Sequence, residues 1–160
     1  VYSQDWKREL SRICLFVKVS GVILRPYILW SEFMMSDPVM DAYTMAYNSS
    51  GNMIQAFGVI TESGQVLWQS NNWDLSADAS GLISAVKSRS PAITQNNVRY
   101  STMRSTPESF VARNVQGNGI LILAKIDGQK WVVAWSAPDA QPDGVYVDVD
   151  RAAKSLKGKI

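Results

Sequence analysis

Ala56–Trp68, AFGVITESGQVLW, is the stretch whose reading decides the fold. It reads as two β-strands joined by a turn at Glu62-Ser63-Gly64, with Trp68 on the second strand. Gly64 supplies the positive φ of a tight hairpin turn, because no Cβ meets the backbone there. An antiparallel sheet with one wet face offers such a tryptophan two fates, core or docking surface. The flanking sequence narrows that choice.

Upstream, Asp37-Pro38 pairs an N-cap with a proline at the first helical position, which predicts a helix to about Asn48. Ser49-Ser50-Gly51 stops it, and Met40, Tyr43 and Tyr47 fall on one face at helical spacing. Downstream of the hairpin, which spans Met53 to Ser70, Asp74 or Ser76 caps a short helix ending near Lys87. Its Leu82, Ile83 and Val86 turn inward. Arg89–Asn96 reads as a loop around Pro91. Strands follow at Val98–Met103, Phe110–Val115, Ile120–Ile126 and Trp131–Trp135, with turns at Thr106-Pro107 and Gly117-Asn118-Gly119. Asp127-Gly128 carries a type I′ hairpin signature. After Pro138 and Pro142 a last helix spans roughly Val145 to Leu156. Val145, Val149, Ala152 and Leu156 form its apolar stripe, and Lys154, Lys157 and Lys159 complement its dipole. The order is helix, two strands, helix, four strands, helix. It predicts an α+β fold, a central antiparallel sheet with the first and last helices packed side by side on one face.

The composition sets limits. The chain has 160 residues, 46% hydrophobic and 10% aromatic, which suits one globular domain rather than a disordered segment. Its net charge of +2 gives no argument for nucleic acid. There is no histidine, so Ser-His-Asp and Cys-His catalysis and histidine metal sites are excluded. One cysteine, Cys14, rules out an intrachain disulfide and a cysteine-rich metal site. This usage favours a reducing, cytoplasmic setting. There is no phosphate-loop motif, and Gly117-Asn118-Gly119 precedes a strand, so it is no dinucleotide fingerprint. Asp139, Asp143, Asp148 and Asp150 read as a solvated helix start rather than a metal site. Asn48-Ser49-Ser50 fits the glycosylation pattern but lacks a secretory context. No cofactor and no enzyme constellation is expected.

Residues 1–36 differ from the rest. Lys7, Arg8, Arg12, Lys18 and Arg25 face only Asp5, Glu9 and Glu32 as acidic counterparts. Ser3–Val17 fits an amphipathic helix, and Gly21 and Pro26 break the pattern. The apolar run Ile13–Trp30 is interrupted by Lys18 and Arg25, which argues against a membrane span, and Arg25-Pro26-Tyr27 stands where a signal peptide wants small residues. The expectation is an N-terminal extension over 1–36, partly ordered or flexible, before a domain over 37–160. Met34 and Met35 offer alternative starts.

In order and motif the chain from Ser36 to Leu156 resembles profilin. Four pieces carry the resemblance: the helix leading into AFGVITESGQVLW, the short helix after it, SFVARNVQGNGILILAKIDGQKWVVAW, and the terminal GVYVDVDRAAKSL. Asgard archaeal profilins can carry an extension such as residues 1–36. Roadblock and longin modules, regulators of small GTPases, are rival small α+β folds and give the alternative function. They fit the proline-containing loop before the last helix less well.

Profilins bind monomeric actin, proline-rich peptides and phosphoinositide head groups, and the resemblance implies residues for each. For proline-rich peptides it implies Trp68, Tyr43, Tyr47, Met40 and Leu156, as an aromatic groove between the first and last helices. The family's first-helix tryptophan and terminal aromatic are absent, and Trp30 or Tyr27 of the extension could fill the groove instead. For actin it implies Arg113, with Lys87, Lys125, Gln141 and Tyr146 in looser correspondence. For anionic phospholipid head groups the candidates are Lys87, Arg89, Arg104, Arg113 and Lys154, with Lys7, Arg8 and Arg12 of the extension added. The resulting expectation is a monomeric, cytoplasmic, non-enzymatic regulator of actin filament assembly.

Overall fold

Asp37 starts the first helix of the computed structural model, which describes residues 37–160; every expectation placed on residues 1–36 lies outside them. Helix α1 runs Pro38–Ser49, and the Asp37 carboxylate accepts a hydrogen bond from the Val39 N–H at 3.0 Å. That bond satisfies one of the helix's orphan donors. The hairpin follows as β1, Ile54–Thr61, and β2, Val66–Gln69. Gly64 has φ +88° and packs against the backbone of Ser80, so the turn needs glycine for both conformation and space.

Helix α2 covers Ala79–Ser88. Neither Asp74 nor Ser76 caps it: Asp74 closes a local turn by accepting from the Ser76 N–H. The N-cap position belongs to Asp78, whose carboxylate accepts instead from the Asn96 N–H at 3.0 Å. The expected loop from Arg89 to Asn96 contains a strand, β3, Ala92–Gln95, so the sheet has seven strands rather than six. Asn96 and Asn97 both take positive φ, 51° and 61°, and turn β3 into β4, Val98–Ser105, as asparagine permits. Strands β5, Ser109–Arg113, β6, Ile120–Lys125, and β7, Lys130–Ser136, complete the sheet. The β6–β7 connection is not the expected type I′ turn, because Gly128 does not adopt positive φ. The Asp127 carboxylate closes a longer loop by accepting from the Gln129 and Lys130 N–H groups at 2.9 and 3.1 Å. Helix α3 starts earlier than expected, at Pro142, and ends at Leu156.

The strands pair antiparallel in the order β2-β1-β7-β6-β5-β4-β3. Both faces of the sheet carry a core, which is why β6 and β7 read as continuous apolar runs rather than as alternations. One face takes Phe57, Ile120, Ile122 and Val132 under α1 and α3, with Val145, Val149, Ala152 and Leu156 buried along α3. The other takes Ile60, Leu121, Leu123 and Val133 under α2 with Leu82, Ile83 and Val86. The α+β architecture, with first and last helices together on one face, is as the pattern predicts.

Candidate functional site

Tyr43 and Trp68 meet where α1 crosses the hairpin. Tyr43 stacks on Phe57, with centroids 5.5 Å apart and planes 19° apart, and meets Trp68 edge-on at 6.3 Å. Phe57 is fully buried and forms the floor for both rings. The Tyr43 hydroxyl donates to the Gln55 carbonyl at 2.8 Å, and the Asn72 amide donates to the same oxygen at 2.9 Å. Partial burial, and secondarily Tyr47, raises the Tyr43 phenol above its ordinary pKa. Aromatic pairs in this geometry fix each other's orientation beyond their buried area.

Met40, Tyr43 and Trp68, with Ser70, Asn71 and Asn72, line a surface pocket of about 220 Å³. Tyr47 touches Tyr43 edge-on at 6.5 Å but stands outside this lining, with its ring exposed. Leu156 does not belong to it. It is fully buried in the core under α1 and α3, because its place on the apolar stripe turns it to the sheet. The lining therefore comes from α1, β2 and the loop that follows β2, with no residue of α3.

One partner of this site leaves no trace in local sequence. The Trp68 indole N–H donates to the Asp37 carboxylate at 2.9 Å, while the other oxygen of that carboxylate caps α1. A single side chain thus ties the start of α1 to the hairpin. The indole's polar edge is engaged and its ring is left partly exposed toward the pocket.

The candidate basic residues divide between the two sides of the sheet. Arg113 and Arg104 share a face: Arg104 pairs with Val111 and Arg113 with Ser101, a diagonal on the order of 8 Å. The Arg104 guanidinium lies 4.7 Å over the Tyr146 ring in the first turns of α3, a cation–π contact. Arg99, two residues before Ser101 on β4, falls on that face as well, and Met103 marks the register shift of the strand with its side chain exposed. Helix α3 lies mainly over β6 and β7; on this face Val111 of β5 is buried, while Arg99, Ser101, Arg104 and Arg113 are exposed. Val147 of α3 is exposed beside Tyr146, and Gln141 is exposed at the N-cap.

Lys87 and Lys125 are elsewhere. Both reach Glu62, at 3.7 Å each, and Lys125 also lies 5.5 Å from the centroid of the Trp131 ring. Lys125 is at the far end of β6 from Ile120, the residue paired with Arg113, and so roughly 17 Å along the strand from it. Arg89 sits beyond α2 as its left-handed C-cap with φ 52°. Lys154 is bound to Asp150 at 2.6 Å, and that hydrogen bond raises its pKa. The five candidates for an anionic head group thus form no single cluster. Among the described residues no group of three acidic or cysteine side chains is placed to hold a metal ion, and no helix is long and apolar enough to cross a membrane.

No family model matches the sequence. Among curated proteins, Thor profilin of Thorarchaeota archaeon (strain AB_25) is 79% identical over 128 residues, covering 79% of this chain and all of that relative. Odin profilin of Odinarchaeota yellowstonii (strain LCB_4) is 30% identical over 103 residues, covering 64% of this chain and 85% of the relative. Among solved structures, LokiProfilin1 in complex with rabbit actin superposes with a TM-score of 0.70 at 21% identity, covering 79% of this chain and 98% of that one.

Proposed function

The chain belongs to the profilin family, and on that premise we propose that it binds monomeric actin through the outer face of β4 and β5 and so regulates filament assembly without enzymatic chemistry. The observation that carries this reading is the set of exposed cations on β4 and β5, where Arg104 is held on Tyr146 and Arg113 stands beside it. With Arg99, Met103 and Val147 the face mixes exposed cations and apolar surface, the make-up of a protein interface. A specific interface of about 1,600 Å² in total is larger than these residues cover, so Gln141 and the strand rims contribute to it. LokiProfilin1, solved in complex with rabbit actin, shares the fold, which makes rabbit actin a usable probe. Increasing amounts of the full chain should slow spontaneous assembly of fluorescently labelled actin, saturating near one chain per monomer. Arg104→Glu with Arg113→Glu should weaken the effect at least about tenfold, since rim charges steer encounter and desolvated ones hold the complex. Actin assembly unchanged across a wide range of the unmutated chain would end this reading.

A second reading, the docking of a proline-rich segment, is favoured by the Met40–Tyr43–Trp68 pocket. Extended proline-rich chains lose little entropy on binding and seat on aromatic surfaces. The missing α3 wall and the engaged Trp68 indole favour weak affinity. Titration with a proline-rich peptide should move the amide signals of Tyr43 and Trp68 saturably and leave Leu156 the least affected. Anionic lipid head groups would find Arg99, Arg104 and Arg113 together and Lys87 and Arg89 apart from them. Phosphoinositide binding is therefore expected to compete with actin, and vesicles that bind the chain without displacing actin would contradict it.

A further inference from the structure

At one end of the sheet, on the α2 side, lies a second pocket of about 440 Å³ that neither reading uses. The antiparallel order brings the start of β1, the end of β7, the start of β4 and the end of β3 to this end together. Asn72, Gln95, Asn96 and Asn118 bring carboxamides to its lining. Trp135 brings partly exposed ring surface, backed by the nearly buried rings of Trp73 and Tyr100. No charged side chain lines it. Asp78 accepts from the Asn96 N–H at this pocket, and no lysine or arginine lines it to pair with a phosphate.

Two details mark the pocket as built. The Trp135 indole N–H donates to the Asn118 carbonyl at 3.1 Å, and Gly119 makes room for the ring, since a Cβ there would meet Trp135 at 2.5 Å. The ring is thereby fixed. Gln95 is 2% exposed and its amide nitrogen has no hydrogen-bond partner. Buried carboxamides are ordinarily satisfied, so an unpaired one beside a cavity asks for an acceptor from what fills it.

We propose that this pocket binds an uncharged planar heterocycle of the nucleobase class. The edge of such a ring alternates donors and acceptors, which matches the donor–acceptor pair of a glutamine or asparagine, and its faces match aromatic side chains. The volume lies within the range of small-ligand sites. The pocket adjoins the Met40–Tyr43–Trp68 pocket through Asn72 and Gln55 but shares no residue with the Arg104–Arg113 face, so its test is independent of actin.

The experiment is an NMR titration of the full chain with adenosine, with adenosine monophosphate and glucose in parallel. Adenosine should shift the Trp135 indole signal and the side-chain amides of Gln95 and Asn118 saturably, with a dissociation constant of about 1 mM or below. The monophosphate should bind no more tightly. Gln95→Leu should lower affinity roughly tenfold, as expected on removing the one buried donor that the ligand would satisfy. Should that variant fail to fold, Asn118→Ala keeps the backbone bonds of its loop and should also weaken binding. Overturning results are no saturable shift up to roughly ten times that concentration, tighter binding of the monophosphate, equal binding of glucose at the same signals, or unchanged affinity in a folded variant.

Discussion

Replacing Asp37 by alanine removes two bonds at once, the cap on the Val39 N–H and the acceptor for the Trp68 indole. Loss of an N-cap costs about 1 kcal/mol. A hydrogen bond to an ionised group is worth up to ~3 kcal/mol when desolvated, but Asp37 is exposed, and solvent competition brings the indole bond nearer ~1 kcal/mol. The sum is about 2 kcal/mol, a fall in melting temperature of roughly 4–8 °C for a chain of this size. Asp37→Asn keeps a capping oxygen but turns an amide donor toward the indole or the helix, so about half of the loss should remain. Urea unfolding followed by circular dichroism measures both. The decisive quantity is the coupling between Asp37→Ala and Trp68→Phe, expected at about 1 kcal/mol because the two groups share one bond. A coupling near zero, or an unchanged urea midpoint for Asp37→Ala, would refute the idea that one carboxylate ties α1 to the hairpin.

Three further outcomes follow from the same packing. Leu156→Ala should destabilise by about 2–5 kcal/mol as a core cavity while leaving peptide affinity unchanged in the folded protein; the opposite pattern in titration and urea melts would return Leu156 to a binding role. Burial raises the phenols of Tyr43 and Tyr100, with the Trp135 indole partly opposing at Tyr100. The folded state then keeps protons the unfolded chain has lost, so their contribution is complete below about pH 10 and is lost as pH rises from there through the raised folded values. Urea midpoints should fall across that range, and less steeply in Tyr100→Phe. Gly119 has φ +111°, so Gly119→Ala strains the backbone and crowds Trp135; it should cost about 1–3 kcal/mol and shift the indole N–H resonance, and a silent spectrum would exclude the packing described.

The sequence signals of this chain are legible where their physical cause is local. Asp37-Pro38 announces α1 because cap and proline act within one turn, and the Val145–Leu156 stripe announces α3 because burial repeats with the helical period. Strand β3 escaped because it has four residues beside a proline, and its hairpin turn is Asn96-Asn97, a weaker signature than Asn-Gly. Asp127-Gly128 misled in the other direction: the carboxylate took two N–H groups and made the glycine's freedom unnecessary. The same contest moved Asp78 away from its own helix to Asn96.

The chain by itself determined that Trp68 stands on a hairpin strand and that Tyr43 shares a helix face with Met40 and Tyr47, since turn chemistry and helical period act over a few residues. Only the tertiary structure decided what these rings do. Their meeting, the Asp37 bond to the indole, the burial of Leu156 and the separation of Lys87 from Arg113 all depend on how a seven-stranded sheet places distant residues. Sheet register brings Arg104 and Arg113 to one face and sends Lys125 to the other side and end. Contacts between residues far apart in sequence carry no periodic signature along the chain, and they make the difference between a list of candidates and a site.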